Sequence, residues 1–453
     1  MTIAGSLDDM HEDLRQAVAD DFAHMKETLA DLVRIPSVSA PSYPAVEVRR
    51  SAEAVARLLK EAGADRVQLL ELEGAHPAVY GEVAGPPGTP TVLLYAHHDV
   101  QPPGPVEEWQ TGPFEPFERD GRLYGRGSSD DKSGVIMHLG MLRAFGGKPP
   151  VGVKFFFEGE EEVGSSHLED FLDKFSDQLR SDVIVIADAG TWRVGVPAIT
   201  TSLRGITASV VEVRTLGSAV HSGQFGGAFP DAITTLCRLL ATLHDEGGNV
   251  VVPGLVAFES DPLDLTEDEV RQQAGAVAGL KSIGDGGWTS RMWSKPAISV
   301  LAIDAPRISE AINQLVPVAS AKVSMRLAPG QDGKAAEEAL RRHLEANVPW
   351  GAELVVRSDG FGDAFALATD APAFEAFRQA MAMVWDTPPV EMGSGGSIPF
   401  VAAFSEQMPG APVILIGAGD PTSAFHGPNE SQHLGDLEKS ILAEAVALRL
   451  LAG

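Results

Sequence analysis

The sequence predicts an α/β fold in two parts: an α/β domain made of residues 1–200 and 367–453, and an α+β domain, residues 201–366, inserted into it. Three observations predict this. Short apolar strands alternate with helical segments up to about Thr200, as in a sheet covered on both faces. The pattern then changes to longer, alternating strands with two helices. From about Ala371 the first pattern resumes. At 453 residues the chain is also too long for one ordinary domain.

In order, residues 8–35 read as an amphipathic helix broken at Pro36, and residues 49–62 as another stopped by Gly63. Residues 91–96 form a buried strand, 133–145 a helix, 153–157 a strand, 165–175 a helix and 183–187 a strand. In the inserted part, 204–214 alternate as a strand, with Ile206, Ser209, Val211 and Val213 within it. A helix over 230–243 follows, then strands 297–303 and 319–327, a helix 333–346 and a strand 353–357. Residues 253–295, rich in Gly, Asp and Trp, read as an irregular excursion of that part. A helix ending at Trp385, a strand 412–416 and a helix from Asp436 close the chain.

Composition bounds the partners. With 44% hydrophobic and 22% charged residues the chain is ordinary globular protein, and its core needs no staple. A formal net charge of −28 argues against nucleic acid and anionic membranes. The one cysteine, Cys237, allows no internal disulfide and fits a reducing, cytoplasmic setting; its apolar helical context predicts a small buried core residue. Met1 to Gln16 has no apolar h-region, so no secretory signal is expected, and no apolar run reaches the ~18 residues of a membrane span.

Five stretches carry chemistry. His97-His98-Asp99 ends the strand 91–96, and strand C-terminal ends are where open α/β sheets build sites. His97 and Asp99, two apart, can share a face, which suits an imidazole ligand with a carboxylate behind it. Gly125-Arg126-Gly127-Ser128-Ser129-Asp130-Asp131-Lys132 is a tight turn with two acids opening a helix. Asp131 reads as its N-cap, and Asp130 as a candidate ligand. Glu158-Gly159-Glu160-Glu161-Glu162 places four acids at the end of a buried strand, where repulsion calls for a cation. Asp188 ends the apolar strand 183–187, and His426 lies in a turn after the last strand. Two imidazoles with several carboxylates suit zinc, with manganese or cobalt as alternatives, and two such ions form a hydrolytic clamp.

These motifs, in this order, resemble the aminoacylase/carnosinase superfamily of co-catalytic zinc peptidases, and 95–102 with 123–132 resemble its dipeptidase branch most. The resemblance runs over nearly the whole chain. It implies a zinc-peptidase-like α/β catalytic domain with an inserted α+β lid and dimerisation domain. It implies two divalent ions per subunit, bridged by Asp130. His97 and Asp188 would hold one ion, Glu162 and His426 the other, and Asp99 would back His97. Glu161 would be the general base that activates the bridging water. His221, in Val220-His221-Ser222-Gly223, would reach the neighbouring subunit's site in a homodimer. Arg326 and the Gly395-Gly396-Ser397 backbone would hold a substrate carboxylate, with Pro399 opening a helix and leaving N–H groups of Gly396 and Ser397 for the anion. An ordinary outward strand arginine is the other reading of Arg326. Ala219-Val220 and Gly393-Ser394 stand where relatives of this branch often carry polar or charged residues, which bears on side-chain specificity.

The function so implied is a metal-dependent dipeptidase acting on small peptides with a free C-terminal carboxylate. An N-acyl-amino-acid deacylase or a carboxypeptidase would use the same metals and base. A catalytically inactive binding or regulatory protein on this fold is the reading from another class, opposed by the intact Glu161 and ligand set.

Overall fold

The structure is a computed structural model and describes residues 11–396 and 399–453. The chain forms two compact units, the first of residues 1–201, 367–392 and 399–453, the second of residues 202–366 and 393–398. Residues 393–396 therefore belong with the second unit, whereas the sequence pattern left them in the first.

The first unit is built on a twisted sheet in the order Arg66–Leu70, Ala78–Val83, Gly152–Glu158, Thr91–His97, Val183–Ile186, Val413–Leu415, Ala198–Leu203. The four strands from Gly152–Glu158 to Val413–Leu415 run parallel. Their C-terminal ends therefore share one edge. Alternation along the central strands buries both faces: His138 stacks on Phe157 from one side, while Phe171 and Phe404 meet Phe156 on the other. Helices Glu12–Val33, Lys132–Ala144, Pro372–Trp385 and Leu434–Leu451 pack together in this unit.

The first helix stops before Pro36, and its last carbonyls are met by a side chain. Lys132, fully buried, donates through Nζ to the carbonyls of Leu32 and Ile35, each at 2.8 Å. The lysine of the Asp-Asp-Lys run is thus a helix cap. The helix expected over 165–175 begins only at Leu168, because Gly164 and Ser165 take φ of 89° and 51° and break it.

The second unit holds a four-stranded antiparallel sheet, order Ala297–Asp304, Val318–Leu327, Gly205–Arg214, Glu353–Gly362. Helices Ala232–Ala241 and Gly333–Asn347 cover it over a core of Val211, Val213, Leu236, Leu239, Val323 and Leu340. Cys237 is exposed and not a core residue. Its helix buries Ala232, Thr235, Leu236, Leu239 and Leu240, a single stripe at helical spacing, and position 237 falls off that stripe. The excursion 253–295 contains two helical elements the sequence did not suggest, Glu267–Gln273, opened by a Thr266–Glu269 capping box, and the π-helical turn Ser290–Ser294. Among the described residues no helix is long and apolar enough to cross a membrane.

Candidate metal centre

The parallel strand ends of the first unit deliver the candidate ligands. His97 is the last residue of Thr91–His97, and register sets it opposite Glu158, the last of Gly152–Glu158. The acidic turn Glu161–Val163 follows directly, and Asp188 stands two residues beyond Val183–Ile186. Asp130 lies just before the helix Lys132–Ala144.

The distances bring them into one cluster. His97 Nε2 is 3.1 Å from Asp130 Oδ1, 3.9 Å from Glu161 Oε2 and 4.0 Å from Asp188 Oδ1. The other oxygen of Asp130, Oδ2, is 3.0 Å from His426 Nε2, which is also 3.3 Å from Glu162 Oε2. Asp130 thus faces one imidazole with each oxygen. Ligand-type atoms of His97, Asp130 and Glu162, and of His97, Glu161 and Asp188, each fall within 4.8 Å of one another.

Asp99 works from behind. It lies 3.4 Å from His97 Nδ1, and its carboxylate accepts from the peptide N–H groups of Glu161 and Glu162. One buried acid therefore orients the imidazole and the acidic turn together. Gln101 adds a second hold on Glu162: its backbone N–H donates to Oε1 and its side-chain amide to the carbonyl, both at 3.0 Å. Asp131 is the N-cap of its helix, accepting from Gly134 N, and also accepts from the backbone of His97.

The four acids after the strand divide. Glu158 is buried against the Tyr95 hydroxyl at 2.7 Å, and Glu160 pairs with His167 at 2.9 Å and accepts from His76 N. Only Glu161 and Glu162 join the cluster.

Its electrostatics call for positive charge. Burial pushes the Glu161 carboxyl up to about 7, with Glu162, Asp99 and Asp130 adding to the rise and His97 opposing it. Burial raises Asp188 and Glu162 as well. Burial alone would raise Asp130 too, but hydrogen bonds from His426 and His97 hold it well below the usual carboxylate range. Those same carboxylates, Asp130 first and Glu162 next, push His426 up to about 10. Five acids gathered around two imidazoles make a donor set suited to divalent cations, with mixed nitrogen and oxygen ligands.

The remaining candidates lie in the second unit. His221 is exposed, caps the short turn Ser222–Phe225, and accepts from Gly223 N through Nδ1 at 3.0 Å. Arg326 is half-buried on Val318–Leu327, and burial lowers its pKa. Near it is a residue the sequence did not single out, Arg204, pushed down to about 10 by burial and by the charge of Arg326. Arg204 also links to the glycine loop, its backbone N–H donating to the Ser394 carbonyl at 3.2 Å. Two guanidiniums and Gly395-Gly396 thus gather in one region of this unit. The Gly396 N–H is not free as expected, because it donates to the Ser394 hydroxyl at 3.2 Å. Ser397 lies outside the described residues.

Comparison with known proteins matches residues 93–449 to the model of peptidase family M20/M25/M40. A cysteinylglycine-S-conjugate dipeptidase of Corynebacterium striatum is 34% identical over 365 residues, covering 79% of this chain and 80% of that protein. A human beta-Ala-His dipeptidase is 30% identical over 375 residues, covering 78% and 73%. Among solved structures, human carnosine dipeptidase 1 superposes with a TM-score of 0.82 at 28% identity, covering 98% of this chain and 99% of that one.

Proposed function

The chain belongs to peptidase family M20/M25/M40 and is a metal-dependent dipeptidase, and on that footing we propose how its residues divide the work. The observation that carries the reading is Asp130, whose two oxygens address His97 and His426 separately. It would be the bridging carboxylate. His97 and Asp188 would hold one ion, Glu162 and His426 the other, and Asp99 would fix the orientation of His97. The donor set suits zinc, with manganese or cobalt as substitutes, and such ions would supply polarisation of the peptide carbonyl and a lowered pKa for the attacking water.

The rest is the work of side chains. Glu161 takes a proton from the attacking water and returns it to the leaving amine. A carboxyl raised toward neutrality is suited to both steps. Arg326 and the backbone N–H groups of Gly395 and Ser397 grip the substrate's free carboxylate, while Arg204 steadies the loop through its backbone bond to the Ser394 carbonyl and its side-chain bonds to the Arg291 and Lys295 carbonyls.

A free C-terminus should therefore be required. Amidating a good dipeptide substrate is expected to lower kcat/KM by about 100-fold or more, as when a polar site loses its partner. Arg326→Ala should cut turnover of the free acid far more than that of the amide. Equal turnover of acid and amide by wild-type protein would remove the carboxylate grip and favour an aminopeptidase-like activity. A panel of dipeptides, tripeptides and acetylated amino acids separates the dipeptidase from a carboxypeptidase or deacylase.

The protein acts as a cytoplasmic homodimer in this reading. The edge strand Ala297–Asp304 exposes Val300, Leu301 and Ile303, followed by Ile308 and Ile312. A bare apolar edge is a liability that a second copy would cover. His221 then completes the partner's site, donating to the oxyanion that forms as the carbonyl is attacked. Mixing inactive His221→Ala with inactive Glu161→Gln subunits should restore activity, since each hybrid holds one site with both groups intact. No recovery despite demonstrated subunit exchange would place His221 outside the partner's chemistry.

A further inference from the structure

We propose that the buried Glu430–Arg126 pair is a positioning clamp that keeps the two ligand-bearing loops of the metal centre in register. The inference rests on the two-ion reading above.

Both side chains are inside the first unit, Glu430 at 0% and Arg126 at 1% exposure. Glu430 Oε2 accepts from Arg126 Nη1 at 2.6 Å and from Gly127 N at 2.9 Å. Its other oxygen accepts from the peptide N–H groups of Ser129 at 2.9 Å and Asp130 at 3.0 Å. One carboxylate is thus wrapped by the turn that ends in Asp130. Arg126 completes the link through its other amino group, Nη2, which donates to the His426 carbonyl at 3.0 Å and the Pro102 carbonyl at 3.3 Å. Its guanidinium lies 5.4 Å from the Trp109 ring centre, which holds the fork in plane. One ion pair therefore touches the backbone of Asp130 and of His426, almost 300 positions apart in sequence.

The second loop needs holding. Ala424, His426 and Asn429 have φ of 57°, 59° and 61°, a left-handed conformation unfavourable for residues with a Cβ. Such a backbone persists only where its surroundings determine it. Arg122 pairs with Asp420 at 2.7 Å near the loop's start, Asn429 is bonded to Gln110 N and the Glu108 carbonyl, and the Glu430–Arg126 clamp closes its end. All four partners of the Glu430 carboxylate are donors. An amide in its place would turn an N–H toward one pair of them, loosening Asp130 without touching any ligand atom. Neither Glu430 nor Arg126 is a catalytic residue in this account, because both act through the backbone of the ligands.

The test titrates chelator-stripped protein with Zn²⁺ alone by calorimetry, for wild type, Glu430→Gln and Arg126→Lys, alongside thermal melts. Wild type should take two ions. Both variants should lose about 10–100-fold in zinc affinity, the range typical of groups that orient ligands. At saturating zinc they should keep KM near wild type while kcat remains lowered. Arg126→Lys preserves the buried charge pair and removes the fork to His426, so it decides the matter if Glu430→Gln does not fold. Glu444→Gln is the control, breaking the buried His138–Glu444 contact of 2.6 Å, which involves none of the proposed ligands. It should lower the melting temperature and leave zinc affinity unchanged. Wild-type zinc affinity in Arg126→Lys, or an equal loss in Glu444→Gln, would overturn the clamp alone. Wild-type protein that binds fewer than two ions would overturn the two-ion reading with it.

Discussion

Asp130→Ala will leave a protein whose hydrolysis of a dipeptide is no faster than that of chelator-stripped wild type, and whose metal content at moderate zinc falls well below two ions per chain. The reason is geometric. Each oxygen of Asp130 lies about a hydrogen-bond length from a different imidazole, 3.1 Å to His97 and 3.0 Å to His426. In the proposed centre every other ligand would serve one ion, whereas this carboxylate would serve both. Its loss also leaves the two imidazoles without the carboxylate they share, so neither half of the centre stays organised. A second readout is stability. A ligand that binds only the folded state adds about 2.7 kcal/mol at 100 times its Kd. Zinc should raise the melting temperature of wild type and barely move that of Asp130→Ala. If metal-free protein, checked by elemental analysis, retained full activity, the metal mechanism would be wrong at its root.

Glu161→Gln carries the second large effect. The amide keeps the shape of the side chain and cannot accept the water's proton, so kcat should fall about 10²–10⁴-fold. Metal content should stay near wild type, because Glu162 rather than Glu161 is assigned as the ligand. This variant is decisive because distance alone does not divide the two roles. Glu161 Oε2 is 3.9 Å from His97 Nε2, and Asp188 Oδ1 is 4.0 Å from it. Glu162 has two holders in Gln101 and a contact with His426, as expected of a fixed ligand. Loss of one ion with the intrinsic rate preserved would reverse the assignment.

The candidate centre was legible because its donors follow strand ends. Buried parallel strands announce themselves as apolar runs, and a polar residue directly after such a run must lie at the sheet's C-terminal edge. That placed His97, Asp188 and the acids after Phe157 at one edge, whereas their roles as ligands and base, and any weight for His426, came from the resemblance to the family. Short strands with mixed composition were not legible. Arg122–Tyr124 and Ser431–His433 pair with each other across more than 300 positions, and that pairing brings Glu430 against the Gly125–Asp130 turn. No local pattern records a partner so distant. The two halves of the ion pair looked like an arginine in a glycine turn and an acid in a loop.

What the sequence by itself determined is therefore the list of donors, their order along the chain and the kind of sheet that presents them. Each of these depends on residues close in sequence, through hydrophobic periodicity and helix-breaking residues. Tertiary structure alone decided which donors meet. It sent Glu158 to Tyr95 and Glu160 to His167, and left Glu161 and Glu162 for the cluster. It turned Cys237 outward, because one helical stripe had room for its neighbours only. It placed Arg204 beside Arg326, and Glu430 beneath Asp130. The buried acids share one physical reason. A buried charge must find its partner wherever the fold brings one, and the search crosses the whole chain.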